Sequence, residues 1–335
     1  MFTATRTTTM KAITHDSYGG PEQLRLVQRA VPQPADDEVL LKVAAAGLDR
    51  GTWHLMHGLP YIIRPAFGLR APRQPIPGLD VAGTVVAVGA DVTNLAVGDS
   101  VFGFAKGSFA EYAVADPNKL APMPSGLEPA AAAALGVSGL TALGAVYDKA
   151  HVKAGQRVLI TGASGGVGSY AVQLAADLGA EVTGVCSASK AEFVRSLGAT
   201  RVLDYTAGPI SAEQPFDVII DIAGLTSVRQ LRALLTKTGT IVMVGGEGNN
   251  RWTSGFGRTV RAAMLSPFIK QNITMFLSSE RSEDLVRLAA LVEGGAVTPR
   301  LDRVLPLAEA PTAMELLEQG HIRGKIALTT DSSLS

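Results

Sequence analysis

Val158-Leu159-Ile160-Thr161-Gly162-Ala163-Ser164-Gly165-Gly166-Val167-Gly168 reads as an apolar strand that runs into a glycine-rich turn and then a helix. Gly162, Gly165 and Gly168 recur at every third position. Without side chains the backbone can approach a pyrophosphate closely, and the helix N-terminus offers unpaired N–H groups at the positive end of its dipole. A glycine pattern alone is weak. Here the helix expected over Val167 to Leu178 and a second strand at Glu181 to Cys186 complete the strand–turn–helix–strand unit. Gly162, Ser164, Gly165, Gly166 and Val167 are therefore the expected phosphate-holding residues; the alternative is a turn that only packs helix on strand.

The end of the second strand bears on which dinucleotide fits. An NAD site places Asp or Glu there, about 20 residues after the glycines, to accept hydrogen bonds from the ribose 2′-OH. This chain has Cys186-Ser187-Ala188-Ser189-Lys190. Ser189 with Glu192 reads as a capping box, which puts Lys190 in the first helical turn, where the macrodipole disfavours a cation. A 2′-phosphate held by Lys190 and Ser187 accounts for both the missing acid and the placement of the lysine, so NADPH is expected over NADH. The plainer reading makes Lys190 a solvated surface lysine.

Working outward, the chain beyond Pro122 and Pro124 alternates strand and helix. Strands are expected at Arg157 to Thr161, Glu181 to Cys186, Arg201 to Asp204, Phe216 to Asp221, Thr240 to Val244 and Ile273 to Leu277, with helices at Val167 to Leu178, Lys190 to Leu197 and Val228 to Leu235. Apolar strands separated by helices indicate a parallel sheet covered on both faces, a doubly wound α/β unit. The uncharged run Pro129 to Tyr147, mostly Ala and Gly with Ser138 and Thr141, is expected as buried helix rather than membrane span. The first third is rich in Val and Gly and punctuated by Pro. Leu24 to Val27, Glu38 to Ala44, Val81 to Val88, Ser100 to Phe104 and Phe109 to Val114 look like the short strands of a barrel-like unit. Gly47 to Arg73 interrupts it with Trp53, His54, His57, Tyr61 and several arginines, and substrate contacts are expected there. The tail adds helices at Glu283 to Val292 and around Ala310 to Gln319 and a strand at Lys325 to Thr329, expected to return to the first domain. The division is 1–124, 125–278 and 279–335.

The bulk numbers agree. The 335 residues exceed one ordinary core and fit two domains with a cleft between them. The 30 basic and 30 acidic residues balance, so no global field draws the protein to nucleic acid or to an anionic membrane, and a small-molecule substrate is expected instead. The single cysteine, Cys186, excludes an intramolecular disulfide and any multi-cysteine zinc site and is consistent with a reducing cytoplasm. Met1 to Met10 is Thr-rich, lacks the apolar core of a signal peptide, and reads as a frayed leader.

Thr161 to Tyr205, with Leu-Gly-Ala at 178–180 and 197–199 and Val-Leu-Asp-Tyr at 202–205, resembles the zinc-independent quinone oxidoreductase branch of the medium-chain dehydrogenase/reductase superfamily. Pro77-Gly78-Leu79-Asp80-Val81-Ala82-Gly83-Thr84-Val85, Val97-Gly98-Asp99-Ser100-Val101, Gly139-Leu140-Thr141-Ala142 and Gly324-Lys325-Ile326 fall in that family's order, so the resemblance covers nearly the whole chain. It implies a GroES-like β-rich catalytic domain and a Rossmann cofactor domain. It also implies that Tyr205 and Lys190 flank the adenosine phosphate, that Thr141 lies near the nicotinamide, and that Ala223, Gly245 and Gly246 line the cofactor. The segment containing Arg323 and Lys325 is similar to one that closes over the cofactor. Tyr205 also reads as a strand-end aromatic, and Thr141 as a helix hydroxyl bonding its own backbone.

Two departures bear on the chemistry. Zinc-dependent relatives carry a Cys after the early Val-Ala-Ala strand and a Gly-His-Glu further on, where this chain has Gly47-Leu48-Asp49 and Gly78-Leu79-Asp80. A catalytic zinc needs about three protein ligands, and His54 with His57 supplies two, so no metal is expected. Asp49-Arg50 also stands where many family members have Asn-Pro. Without a metal to polarise a carbonyl, the readiest acceptors are electron-poor: quinones or α,β-unsaturated carbonyls. Asp49, His54 and Tyr61 are the candidates for contact to the substrate oxygen or for proton relay, and Trp53 for pocket wall. The alternatives are a reductase of simple aldehydes and ketones, or a non-catalytic NADPH-binding redox sensor. A short-chain dehydrogenase is disfavoured because no tyrosine has Lys four residues later. The apolar strand at Ile273 to Leu277 is a candidate sheet edge, and a homodimer through it is expected.

Overall fold

The computed structural model describes residues 8–245, 251–252, 257–258, 262, 264, 269–276 and 280–330. Along the chain, β1 (Thr9–Thr14) pairs antiparallel with β2 (Arg25–Ala30). Next come β3 (Val39–Gly47), β4 (Asp80–Val88), β5 (Ser100–Phe104), β6 (Tyr112–Ala115) and β7 (Leu120–Pro122). A parallel set follows: β8 (Arg157–Thr161), β9 (Glu181–Cys186), β10 (Arg201–Asp204), β11 (Phe216–Asp221), β12 (Leu235–Met243) and β13 (Asn272–Met275). The chain ends with β14 (Leu301–Pro306) and β15 (Lys325–Thr329).

Among the described residues the parallel sheet runs β10-β9-β8-β11-β12-β13. The order reverses between β8 and β11, and the crevice at such a switch point is where a doubly wound sheet binds its ligand. The second sheet runs β14-β15-β3-β4-β5-β7, with β6 on β3. Ala327 pairs with Gly47 in that sheet, which sets the last strand, β15, antiparallel beside β3.

The two halves share a core. Phe102, Phe104 and Ala121 of the mixed sheet join Val158, Tyr170, Val172, Leu285 and Leu288 in one apolar cluster. The buried Tyr170 hydroxyl donates to the Ala134 carbonyl at 3.0 Å, which satisfies the polar end of the largest fully buried side chain. No helix among the described residues is long and apolar enough to cross a membrane.

Several expectations need correction. The leader is shorter than the composition suggests, because Thr9–Thr14 is a strand that buries Met10 and Ile13. The short strands β7 and β14 escaped notice because β14 is mostly exposed and lacks an apolar run. Leu235 opens β12 instead of closing a helix, and Leu277 lies outside the described residues. Pro129 to Tyr147 is not one helix. It divides into α3 (Pro129–Ala133) and α4 (Gly136–Leu143), with π-helical turns at Gly144–Lys149. The break has a cause: the Asp80 carboxylate accepts the Val137 N–H at 2.8 Å, capping α4 from another element, and a Cβ on Gly136 would stand 2.3 Å from Asp80 Oδ1.

Candidate cofactor and substrate site

At the switch point, the turn after β8 is built so that its backbone is bare. Gly162 holds φ of 66°, a left-handed conformation that favours glycine, and a Cβ there would lie 3.3 Å from the Ala223 nitrogen on the neighbouring strand end. Helix α5 (Gly166–Asp177) starts directly after it, with Gly165 as a cap that supplies no side-chain hydrogen bond. The first N–H groups of a helix lack intrahelical partners, so this end is a site for anionic oxygen. Gly168 serves packing: a Cβ would fall 2.1 Å from the Gly162 carbonyl oxygen. Thr161 Oγ1 accepts from the N–H groups of Ile222 and Ala223 and donates to Asp221 Oδ1 at 2.8 Å, tying the ends of β8 and β11 together. Gly245 packs equally close to β11, its N–H donating to the Asp221 carbonyl. Gly246 lies outside the described residues.

The adenosine side differs in detail from the expectation. Residues Ala188–Lys190 form a 3-10 turn, and Lys190 is the N-cap of α6 (Ala191–Ser196) without a side-chain cap bond. The Ser189–Glu192 capping box does not form; Ser189 Oγ lies 3.3 Å from Ser187 Oγ instead. The Lys190 ammonium donates to the carbonyls of Gly320 at 2.6 Å and Ile322 at 2.8 Å. Those carbonyls, and not an anion alone, offset its charge, and the solvated-lysine reading also falls. Burial pulls its pKa down and nearby Arg323 adds to the effect, while Asp302 opposes it. Arg323 donates to the Ser189 carbonyl at 3.3 Å, and Gly324 N–H donates to the Ser164 carbonyl at 2.9 Å. Residues 320–324 are thus fastened to both the phosphate turn and the end of β9. Tyr205 is exposed, its N–H bonded to the Cys186 carbonyl at the end of β9.

Lys325, expected to face the cofactor, is buried with its ammonium on protein acceptors: Leu48 O at 2.6 Å, Ser138 Oγ at 3.1 Å and Asp80 Oδ2 at 3.4 Å. Neither Asp80 nor Ser138 was among the expected site residues. The available signals were an acid in the otherwise apolar Leu79–Ala82 stretch and a lysine opening the apolar Ile326–Leu328. Burial pushes the Asp80 carboxyl up to about 7, with Asp49 adding to the shift and Lys325 opposing it. Raised above its ordinary 3.8, this group contributes stability that is full at low pH and lost as pH rises through about 7. Urea unfolding between pH 4 and 8 should show that falling component in the parent and lose it in Asp80→Asn; an unchanged slope would refute it.

On the substrate side, Asp49 is not available to a ligand. It is buried at the N-cap of α1 (Arg50–His57), Oδ1 accepting from Thr52 N–H at 2.8 Å and Oδ2 from Thr52 Oγ1 at 2.9 Å. His54 and His57 share α1 with Trp53: the His57 ring lies tilted at 33° to the indole with centroids 4.2 Å apart, and His54 meets it edge-on at 4.9 Å. His54 Nδ1 contacts the Leu59 carbonyl, and His57 Nδ1 the Trp53 carbonyl, each at 3.1 Å. Tyr61 reaches the cofactor-binding half, its N–H donating to the Arg251 carbonyl at 2.9 Å and its ring meeting Trp252 edge-on at 5.5 Å. Thr141 Oγ1 donates to the Val137 carbonyl at 2.6 Å, the local helix bond that was its alternative reading. Among the described residues no three His, Cys, Asp or Glu side chains converge as a metal site.

Comparisons with known proteins agree with this architecture. Residues 35–125 match the alcohol dehydrogenase GroES-like domain, and residues 197–328 match a family described as zinc-binding dehydrogenase. The chain is 36% identical over 332 residues to the chloroplast envelope quinone oxidoreductase homolog of Arabidopsis thaliana, covering 95% of this chain and 97% of that one. The solved quinone oxidoreductase of Coxiella burnetii superposes with a TM-score of 0.85 at 32% identity, covering 97% of this chain and all of its own. A mycobacterial protein solved in complex with NADPH gives 0.78 at 28% identity, covering 96% of this chain and 99% of that one.

Proposed function

This chain belongs to the quinone oxidoreductase branch of the medium-chain dehydrogenase/reductase superfamily and is an oxidoreductase, and from that premise we propose an NADPH-dependent, zinc-independent reductase of quinones or α,β-unsaturated carbonyls. The observation that carries the cofactor choice is the end of β9, where no acid follows Cys186 and two cations, Lys190 and Arg323, stand within reach of Ser187 and Ser189. The N-terminal N–H groups of α5 would hold the pyrophosphate, and Ala223 and Gly245 would line the path toward the nicotinamide. The bound cofactor supplies a hydride. The protein orients the acceptor and keeps water out, and Trp53 and Tyr61 form the wall of the insert. Asp49 is committed to the cap of α1, which leaves His54 and Tyr61 as the polar groups for the acceptor oxygen and for the proton that the acceptor gains with the hydride. The test is initial rates with NADPH and NADH at a saturating quinone: we expect kcat/KM at least tenfold higher with NADPH, and a preference for NADH would refute the cofactor assignment.

Among the described residues β13 comes last in the order of the parallel sheet, and the outer strands of sheets are ones that proteins commonly cover or pair. We therefore include a homodimer joined through β13 in the proposal. Light scattering at micromolar concentration should give twice the 34.8 kDa chain mass, and a monomeric mass would dismiss it. Cytoplasmic residence, suggested by the single buried thiol, is part of the same reading and is opposed if cell fractionation recovers the protein with membranes.

A further inference from the structure

The Lys325 ammonium binds across the junction of the two sheets in a space made by missing side chains. A Cβ on Gly166, at the start of α5, would lie 3.0 Å from Lys325 Cδ and 2.9 Å from Ser138 Oγ. A Cβ on Gly47, at the end of β3, would lie 2.9 Å from Asp80 Cβ, and one on Gly136 would lie 2.3 Å from Asp80 Oδ1. Three glycines from three elements therefore close around one lysine and one aspartate. The three protons of the ammonium go to Leu48 O, Ser138 Oγ and Asp80 Oδ2. Leu48 immediately precedes Asp49, the cap of α1, which carries His54 on the substrate side. Ser138 is in the first turn of α4, the helix of Thr141, and Gly166 is the first residue of the phosphate-turn helix.

Stability alone does not account for such a group. Both side chains are almost fully buried, and the Lys–Asp separation of 3.4 Å is long for a charge-assisted bond. Desolvating such a pair costs as much as its attraction returns, and an apolar pair of similar volume is often as stable. What an apolar pair cannot supply is a fixed direction to acceptors on three elements at once.

We propose that Lys325, with Asp80 as its counter-group, is a positioning residue for hydride transfer: it locks the Leu48–Asp49 turn on the acceptor side to the Ser138 and Gly166 helix starts on the cofactor side. This rests on the reductase reading above. A loss of about 1 Å of registration between reacting groups lowers a rate by roughly a hundredfold, so the lock acts on turnover more than on cofactor affinity.

The test is a Lys325→Met/Asp80→Leu double variant, which keeps volume and removes both members of the buried pair together. Three quantities are read on the full protein: thermal midpoint, NADPH affinity by fluorescence, and kcat with its primary isotope effect from nicotinamide-deuterated NADPH. Expected are a folded protein, NADPH affinity within about threefold of the parent, kcat lower by roughly a hundredfold, and an isotope effect on kcat larger than the parent's. A kcat within twofold and an unchanged isotope effect overturn the proposal, as does a kcat loss matched by an equal loss of NADPH affinity. Should the double variant not fold, Ser138→Ala, which removes one acceptor only, decides in the same way: a kcat loss of about tenfold at unchanged affinity supports the lock, and parent-like kcat overturns it. Parent protein that binds no NADPH, or binds it without turnover, refutes the reductase reading instead and is recognised before any variant is made.

Discussion

A Gly168→Val variant should lose dinucleotide binding altogether. The obstacle is backbone, not a side chain that can swing away: the new Cβ would stand 2.1 Å from the Gly162 carbonyl oxygen and 2.7 Å from Ala163 Cα. Relief requires α5 to move off β8, and the N–H groups that would face the pyrophosphate move with it. Overpacking of this kind costs about 2 to 3 kcal/mol, so urea unfolding should shift by that amount while NADPH fluorescence enhancement disappears. Gly155→Ala is the control. Gly155 also has positive φ, at 76°, but a Cβ there meets nothing within 4 Å, so only the left-handed conformation is penalised, at about 1 to 2 kcal/mol. Its NADPH affinity should match the parent. If Gly168→Val binds NADPH normally, the turn is not the phosphate site.

Removing the cations at the end of β9 should separate the two dinucleotides. Lys190→Ala is expected to weaken NADPH by about tenfold, from the loss of a charge-assisted contact of about 1.5 kcal/mol, with NADH weakened by no more than a few-fold. Lys190 also holds the Gly320 and Ile322 carbonyls, and loosening that segment affects both cofactors alike. Arg323, bonded to the Ser189 carbonyl, retains part of the field in the single variant. Lys190→Ala/Arg323→Ala should therefore weaken NADPH by about a hundredfold and NADH by no more than a few-fold. Equal losses for both dinucleotides, measured by titration calorimetry, would contradict a 2′-phosphate site and leave the two residues as fasteners of the C-terminal segment.

The parts of the fold that could be read from sequence are those written in local chemistry. The phosphate turn is a backbone requirement expressed directly as glycine spacing, and four of the six parallel strands have the bounds their apolar runs suggest: β8, β9, β10 and β11. Lys190 stands out in the sequence, but its partners at 320 and 322 are 130 and 132 residues away, so its surroundings do not. Asp49 carried a readable signal that points away from catalysis: Asp is a preferred N-cap residue, and it stands directly before the helix Arg50–His57. Asp80 and Lys325 are 245 residues apart, and each alone looks like an ordinary charge at a strand end. Only the topology, which brings β15 back between β14 and β3, turns them into a buried pair at the domain junction.

The most direct test of the central claim is the loss of 340 nm absorbance when chelator-treated protein is mixed with NADPH and, in turn, a quinone, an enone and a simple aldehyde. The account predicts rapid NADPH oxidation with the quinone or the enone, undiminished by the chelator, and little with the aldehyde. No turnover with any acceptor despite NADPH binding would contradict it and favour a non-catalytic NADPH-binding sensor, while activity abolished by chelation and restored by zinc would overturn the metal-free mechanism.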